Sequence, residues 1–441
     1  MRRDRIALVM HNTELLLAHP LRQLLNDEAH ARPPAPIAAP ARLSSLTLFF
    51  ERDSNGQLDA LIRLARLMGS PEPEAARAYY TGVAGDLMIR WSLHTEFVRY
   101  TFIEPAEDEP DFSRTVLDRI PADWLRSLPG QLLVALHAVL LRDDPVDNSA
   151  RGIAERWFAG NDLIGAEIAG AHGCAYTDLR LHPDDRVANG FSRFVVVDRG
   201  MGPLQTGRML QRLFEIETYR MLALLALPGA KQQMPKLDAL SNAMRRITER
   251  MDKPEHDASE LLHELTAQAS ALEHLVAQSQ YRFSASRAYY SLVERRIDEL
   301  RERRLPGLQP FHEFMEHRLA PAMETCDTVV GRQDRITARI QRTSALLRTR
   351  VEVQHEEQNR ALLASMDTRA ALQLRLQQTV EGLSVGVLTY YAVGLVGYAT
   401  KALKAAGLHL NPEVITGLAI PLAAITVWLG VRRARRHLHH A

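Results

Sequence analysis

Residues 382–400, GLSVGVLTYYAVGLVGYAT, and residues 414–431, VITGLAIPLAAITVWLGV, hold no Asp, Glu, Lys or Arg, and Arg432, Arg433, Arg435 and Arg436 follow the second run. An α-helix needs about 20 apolar residues to cross the ~30 Å hydrocarbon layer of a bilayer. The two runs predict a transmembrane hairpin: a first span over 380–400, a loop over 401–413, a second span over 414–431 and a basic tail over 432–441. Everything before residue 380 is then a water-facing body tethered to the lipid bilayer. Arginine-rich flanks stay in the cytoplasm, so the tail belongs there, and two spans bring the body to the same side. Lys401 and Lys404 in the loop oppose this orientation but are outweighed by the tail arginines together with Arg369 and Arg375. The expected location is the cytoplasmic (inner) membrane, with the N-terminal domain and the C-terminus facing the cytoplasm.

Composition bounds the rest. With 54 Lys and Arg against 53 Asp and Glu, the formal charge of +1 gives no electrostatic case for a nucleic-acid partner. The apolar residues 6–10 behind the basic N-terminus are shorter than the ~7–15 residues of a signal-peptide core. Cys174 and Cys326 are too few for a disulfide framework or a CxxC metal site, which fits structural thiols in a reducing compartment.

Residues 1–42 form an arm punctuated by Pro20, Pro33, Pro34, Pro36 and Pro40. Residues 43–230 mix periods of two and of 3.6, the pattern of an α/β globular domain. Strands are expected over 46–50, 87–102, 173–181 and 191–198, the last two joined by turn-forming residues at 182–185 and 189–190. Helices are expected over 58–68, 124–141 and 204–227, the last ended by Pro228-Gly229. Over 231–379 the pattern is helical. Leu262, Leu265, Ala269, Leu272, Val276, Ser279, Phe283, Ser286, Tyr290, Val293, Ile297 and Leu300 keep a 3-4 spacing, the seam of a coiled coil. Pro306-Gly307 and Pro310 allow the next helix to fold back, and from 322 to 378 it would run about 85 Å toward the membrane at ~1.5 Å per residue. The expected fold class is an α+β cytoplasmic domain, a long antiparallel helical (coiled-coil) stalk and a C-terminal two-helix transmembrane hairpin.

Chemistry is less plain. Glu28, His30 and Arg32 stand in the polar cluster Asn26-Asp27-Glu28-Ala29-His30-Ala31-Arg32, where a carboxylate can orient an imidazole base. Against this, i and i+2 do not share a helix face and no HExxH spacing exists. His94 and Glu96 fall on one face of the strand expected around them. The helix over 204–227 carries Gln211, Arg212, Glu215, Glu217, Tyr219 and Arg220, an ion-paired helix surface or, as the sharper alternative, a binding surface for an anionic ligand. Gly382, Gly386 and Gly394 share a face of the first span at intervals that suit close helix packing. His409, Asn411 and Glu413 mark the loop as a pore mouth if the protein conducts ions. No stretch has the spacing of a cofactor or metal site, so none is expected.

The segments His19-Pro20-Leu21-Arg22 and His30-Ala31-Arg32-Pro33, His94-Thr95-Glu96-Phe97, Gln211-Arg212-Leu213 with Glu215-Ile216-Glu217-Thr218-Tyr219-Arg220, Tyr390-Tyr391-Ala392-Val393-Gly394, and Trp428-Leu429-Gly430 resemble a bacterial family of uncharacterised membrane-anchored proteins, a domain of unknown function. The resemblance runs over nearly the whole chain. It implies attachment through C-terminal spans and assigns no activity, so no catalytic residue carries over. The layout also looks like magnesium channels of the CorA type, although their Gly-Met-Asn tripeptide is replaced here by Gly407-Leu408-His409-Leu410-Asn411. The leading expectation is a membrane-anchored, non-enzymatic protein that self-assembles as a homo-oligomer or recruits a coiled-coil partner. A CorA-like oligomeric ion channel or transporter is the alternative, and an enzyme with a site near Glu28 and His30 the third.

Overall fold

The computed structural model describes residues 18–23, 25–26, 33–50, 53–74, 78–144, 149–253, 256–406 and 411–438. Glu28, His30, Arg32 and His409 lie outside the described residues. The chain divides into two compact units, Met1–Ile247 with Leu265–Gln341, and Thr248–Glu264 with Arg342–Ala441.

The first unit is built on a ten-stranded mixed sheet. Its strands are β1 (Ala41–Phe49), β2 (Tyr79–Ala84), β3 (Leu87–Leu93), β4 (Phe97–Pro105), β5 (Gln131–Arg142), β6 (Ile164–Ile168), β7 (Gly173–Thr177), β8 (Leu181–Asp184), β9 (Val187–Asp198) and β10 (Arg303–Arg304). They run in the order β10-β6-β7-β9-β5-β1-β4-β3-β2, with β8 also paired to β9. Pairing is antiparallel except between β5 and β9, which run parallel. Helices α1 (Gln57–Met68) and α2 (Ala122–Arg126) share one core with one face of β1, β3 and β4, and α3 (Ala150–Trp157) packs in a second core with β5, β7 and β9. In the first core Leu46, Leu48, Ile89, Trp91, Tyr100 and Phe102 meet Leu61, Leu64 and Trp124. Each such side chain stabilises the fold by roughly 1.5–3 kcal/mol on leaving water. The Trp124 indole adds an edge contact to Tyr100 at 5.2 Å and donates to the Ala60 carbonyl oxygen at 2.8 Å.

Helix α4 (Pro203–Leu224) lies on the opposite face, where Thr47 meets Thr218 at 3.4 Å and the Ser192 hydroxyl donates to Glu217 at 3.0 Å. Gly207 allows residues 33–40 to cross α4, because a Cβ there would stand 1.8 Å from the Ala35 carbonyl oxygen. The Ile37 amide donates to the Pro203 carbonyl oxygen at 3.0 Å, which fixes that crossing.

Several elements differ from expectation. The run 131–142 is a strand, β5, and only α2 within the stretch expected to be helical is a helix. A central strand buried on both faces loses its alternation and reads as a continuous apolar run. Residues 182–184 and 187–190 belong to β8 and β9, joined by a two-residue turn at 185–186 and not by a long loop. Gly190, at φ 84°, sits inside β9 because a Cβ would fall 1.7 Å from the His182 carbonyl oxygen. Pro228-Gly229 does not end a helix but opens α5 (Leu227–Met251), where proline's missing N–H costs nothing.

The seam of α6 (Ala258–Leu300) is buried within this unit along Leu265, Leu272, Phe283, Val293, Ile297 and Leu300. Its two serines are polar contacts. Ser279 bonds the Leu275 carbonyl and joins Gln233 of α5 and Gln333 of α8 (Ala320–Ala405), whose amide donates to Gln233 at 2.7 Å. Ser286 donates to the carbonyl oxygen of Ala223. Pro321 falls in the first turn of α8, just after the turn at Leu319 that separates α8 from α7 (Phe311–Arg318).

In the second unit Arg250 pairs with Glu264 at 2.6 Å, and Arg350 donates to the backbone oxygens of Met251 and Lys253. Past residue 351, α8 is exposed nearly all round, and Leu362, Leu372 and Leu376 are each at least 60 % accessible. Two helical runs, Phe311–Ala405 and Pro412–Arg433, contain windows long and apolar enough to cross a membrane, and neither window is buried inside the chain. The second falls in α9 (Pro412–Leu438). Gly397 approaches Thr416 of α9, its Cβ position standing 3.5 Å from the hydroxyl, while Gly382, Gly386 and Gly394 have no neighbour there within 4 Å.

Candidate functional site

The register of four strands lays polar side chains in two rows on the face covered by α4. Thr81, Arg90, Thr101 and Ser45 are successive cross-strand partners, and so are Tyr79, Ser92, Arg99 and Thr47. The opposite face of the same strands is aromatic and aliphatic. A cavity of about 40 Å³ opens among Arg90, Ser92, Arg99 and Thr101, with Gln211 and Phe214 of α4 as its far wall. Thr81 is exposed at its rim and Arg90 is half-buried.

Arg99 is 8 % exposed. Its Nη2 reaches Glu215 at 3.4 Å, whereas its buried Nη1 has no hydrogen-bond partner among the described residues. Arg90 donates to the Pro33 carbonyl oxygen and, at 3.5 Å, to Gln211. The Gln211 amide in turn donates to Glu215 at 2.8 Å. Glu215 is also held by Arg296 of α6, which shares Glu299 with Arg212. Burial alone would raise the Glu215 carboxyl, but Arg99 and Arg296 outweigh it and hold the group below the usual carboxylate range. Burial, and then the neighbouring Arg99 charge, lowers the Arg90 guanidinium. Four guanidiniums (Arg90, Arg99, Arg212, Arg296) against two carboxylates (Glu215, Glu299) leave a surplus of two positive charges in this cluster.

The residues marked in the sequence fall apart in space. His94 and Glu96 do not alternate along a strand: β3 ends at Leu93, β4 starts at Phe97, and the His94 amide closes the turn on the Phe97 carbonyl at 2.9 Å. His94 stacks on Phe97 at 4.2 Å. Glu96, 1 % exposed, takes a two-pronged bond from Arg282 of α6 at 2.8 and 3.2 Å and another from the Tyr281 hydroxyl. It is a clamp between sheet and helix, with its oxygens occupied. The polar residues of α4 are not a solvated surface either, since Glu215, Glu217 and Thr218 are buried. The anionic-ligand alternative named that helix and missed the strand residues opposite it. A signal was present: Arg99 sits between Val98 and Tyr100 in a strand whose other residues are almost all apolar or buried.

Ser44, His137 and Asp184 form a second row on the aromatic face. The Ser44 hydroxyl is 2.8 Å from His137 Nδ1, and Nε2 is 3.6 Å from Asp184. The order is that of a hydrolase triad, but Ser44 is 0 % exposed and cannot meet a substrate. Burial, opposed by Asp184 and aided by Arg186 and Arg193, lowers the His137 pKa and keeps the ring neutral. A histidine with a depressed folded pKa contributes stability that is present above its unfolded pKa of about 6.5 and is lost as pH falls. The stability of the body against thermal unfolding is therefore expected to fall between pH 7 and 5, by at most about 1.4 kcal/mol per pH unit from this group. His137→Gln should flatten that slope, and an unchanged slope would show that the acid sensitivity lies elsewhere.

Both cysteines are buried thiols. Burial raises Cys174, and burial followed by Asp327 pushes Cys326 up to about 11. Among the described residues no group of three or more His, Cys, Asp or Glu side chains is placed to hold a metal ion. Asn411 and Glu413 are exposed at the start of α9.

Searches of curated proteins and of solved structures give no match. A family model does match, over residues 17–438, nearly the whole chain and every segment that carries the sequence resemblance. The chain belongs to the family described as "Protein of unknown function (DUF3422)".

Proposed function

We propose that this chain is a membrane-anchored protein, held by the distal part of α8 and by α9 as two antiparallel spans, with the sheet body and the arginine tail on the cytoplasmic side of the inner membrane. The observation that carries this reading is the pair of apolar helices with no cover from the rest of the chain. Leu383, Leu395, Leu418 and Leu422 are each at least 64 % exposed, an apolar surface that water does not tolerate and lipid does. After cell lysis without detergent the protein should sediment with membranes and stay there through high salt. Recovery in the soluble fraction overturns the anchor.

The same helices support self-association. The α6 seam is occupied within the chain, so it is not the surface left for a partner. The face of Gly382, Gly386, Tyr390 and Gly394 is open, with Tyr390 77 % exposed, and small residues four apart let a second helix approach closely. A second copy of the chain is the occupant proposed. Gly386→Leu should reduce the crosslinked dimer in detergent several-fold while leaving Gly417→Leu dimeric. Equal crosslinking of both variants assigns the contact to another surface. Among the described residues, no charged side chain lies within 382–400 or 414–431, which favours an anchor over a charged conduction path. Ion flux across liposomes carrying the purified protein tests the channel alternative directly.

A further inference from the structure

The cavity between β2, β3, β4 and α4 has a composition that a folding core does not need. We propose that it is a binding site for a phosphoryl group, the phosphate monoester end of a small molecule or of a lipid headgroup, held by Arg90, Arg99 and the hydroxyls of Thr81, Ser92 and Thr101. The site lies wholly within the first unit and does not depend on the membrane reading.

Three observations carry it. First, Arg99 keeps Nη1 buried in the wall of the cavity without a partner among the described residues, although a buried N–H left unmade is costly and rare. Second, Arg90 and Arg99 stand at diagonal positions of an antiparallel pair, two residues off register and on the same face, where like charges repel unless something negative lies between them. Glu215 is engaged by Arg99, Arg296 and Gln211, and among the described residues no carboxylate lines the cavity itself. Third, the size fits. A cavity of about 40 Å³ holds about three waters, which is close to one tetrahedral oxyanion.

The donors also choose among anions. Arg90 and Arg99 approach from β3 and β4, Thr81 from β2 at the rim, and Ser92 and Thr101 from the floor. A planar carboxylate presents two oxygens to the five donors of this sheet face, while a phosphoryl group presents three terminal oxygens. Guanidinium forks match that geometry. Since the rim at Thr81 is open, the rest of a phosphorylated molecule can remain outside.

The test uses the full-length protein in detergent and follows unfolding of the body by tryptophan fluorescence. Inorganic phosphate is titrated at constant ionic strength against chloride, and in parallel the micelles are doped with phosphatidic acid or with phosphatidylcholine. A saturable rise in the unfolding temperature is expected with phosphate, with phosphatidic acid, or with both, and not with phosphatidylcholine. Stabilisation by phosphate identifies a soluble source, and stabilisation by phosphatidic acid alone identifies a lipid headgroup. Arg90→Gln should raise the half-saturating concentration by roughly tenfold to a hundredfold, the span of a lost charge-assisted hydrogen bond. Thr81→Val, at an exposed edge position that folding does not require, should weaken binding severalfold. The proposal is overturned if neither phosphate nor phosphatidic acid gives a saturable shift, or if both variants bind as the parent does.

Discussion

Replacing Arg282 with alanine should lower the unfolding free energy of the sheet body by about 3–5 kcal/mol, because it strips the partner from a buried carboxylate. Glu96 sits in the turn between β3 and β4 at 1 % exposure, and its compensating charge comes from Arg282. Without the guanidinium, Glu96 keeps neutral phenol partners, the Tyr281 hydroxyl at 3.2 Å and Tyr289, too little to replace the lost hydration of a carboxylate. The loss extends to packing, since the guanidinium lies 5.1 Å from the centre of the Phe49 ring at the end of β1. The matched control is Arg287→Ala one turn further along α6, whose pair with Asp327 is more than half exposed on both sides. Such a pair contributes no more than about 1 kcal/mol. Urea titrations followed by Trp91, Trp124 and Trp157, all in the body, should separate the two variants clearly. If Arg282→Ala unfolds with the same midpoint as Arg287→Ala, Glu96 is not the clamp that its geometry implies.

The second large effect concerns the helices of the other unit. Lysine near the middle of each span, Leu388→Lys with Leu422→Lys, should release most of the protein from membranes into the soluble or aggregated fraction. Each lysine costs about 2.5–3.5 kcal/mol at the centre of a spanning helix. Both positions are at least 50 % exposed, so the substitutions do not disturb packing within the chain. Leu362→Lys, on the exposed stretch of α8 before the first apolar run, serves as control and should leave the protein in the membrane. Release by the control to the same extent would mean that the apolar runs are not what holds the protein there.

The particular residues explain which parts of this molecule were legible in its sequence. The apolar runs near the C-terminus announced themselves because 19 and 18 residues without a charge have few explanations. Helix α1 and strand β1 were legible because their apolar residues repeat with a helical or strand period. Strand β5 was not, since LLVALHAVLL is apolar at almost every position and a buried strand and a buried helix then look alike. Gly190 suggested a turn because sequence alone does not reveal that a neighbouring carbonyl forbids a side chain there. The candidate site was half legible. Gln211 and Glu215 stood out on a strongly patterned helix, but Arg90 and Arg99 became diagonal neighbours only through the antiparallel register of β3 and β4, which no local motif announces. His94 and Glu96 drew attention as a pair, yet the turn between the same two strands points them to different neighbours.

Cysteine accessibility in intact inverted and right-side-out vesicles tests the two-span anchor most directly. Cys174 and Cys326 are buried thiols and react slowly with maleimide, so single cysteines introduced at Lys404 and Arg433 dominate the signal. A membrane-impermeant maleimide should label Lys404→Cys from the outer side and Arg433→Cys from the cytoplasmic side. Labelling of both positions from the same side would contradict a hairpin that crosses the bilayer twice.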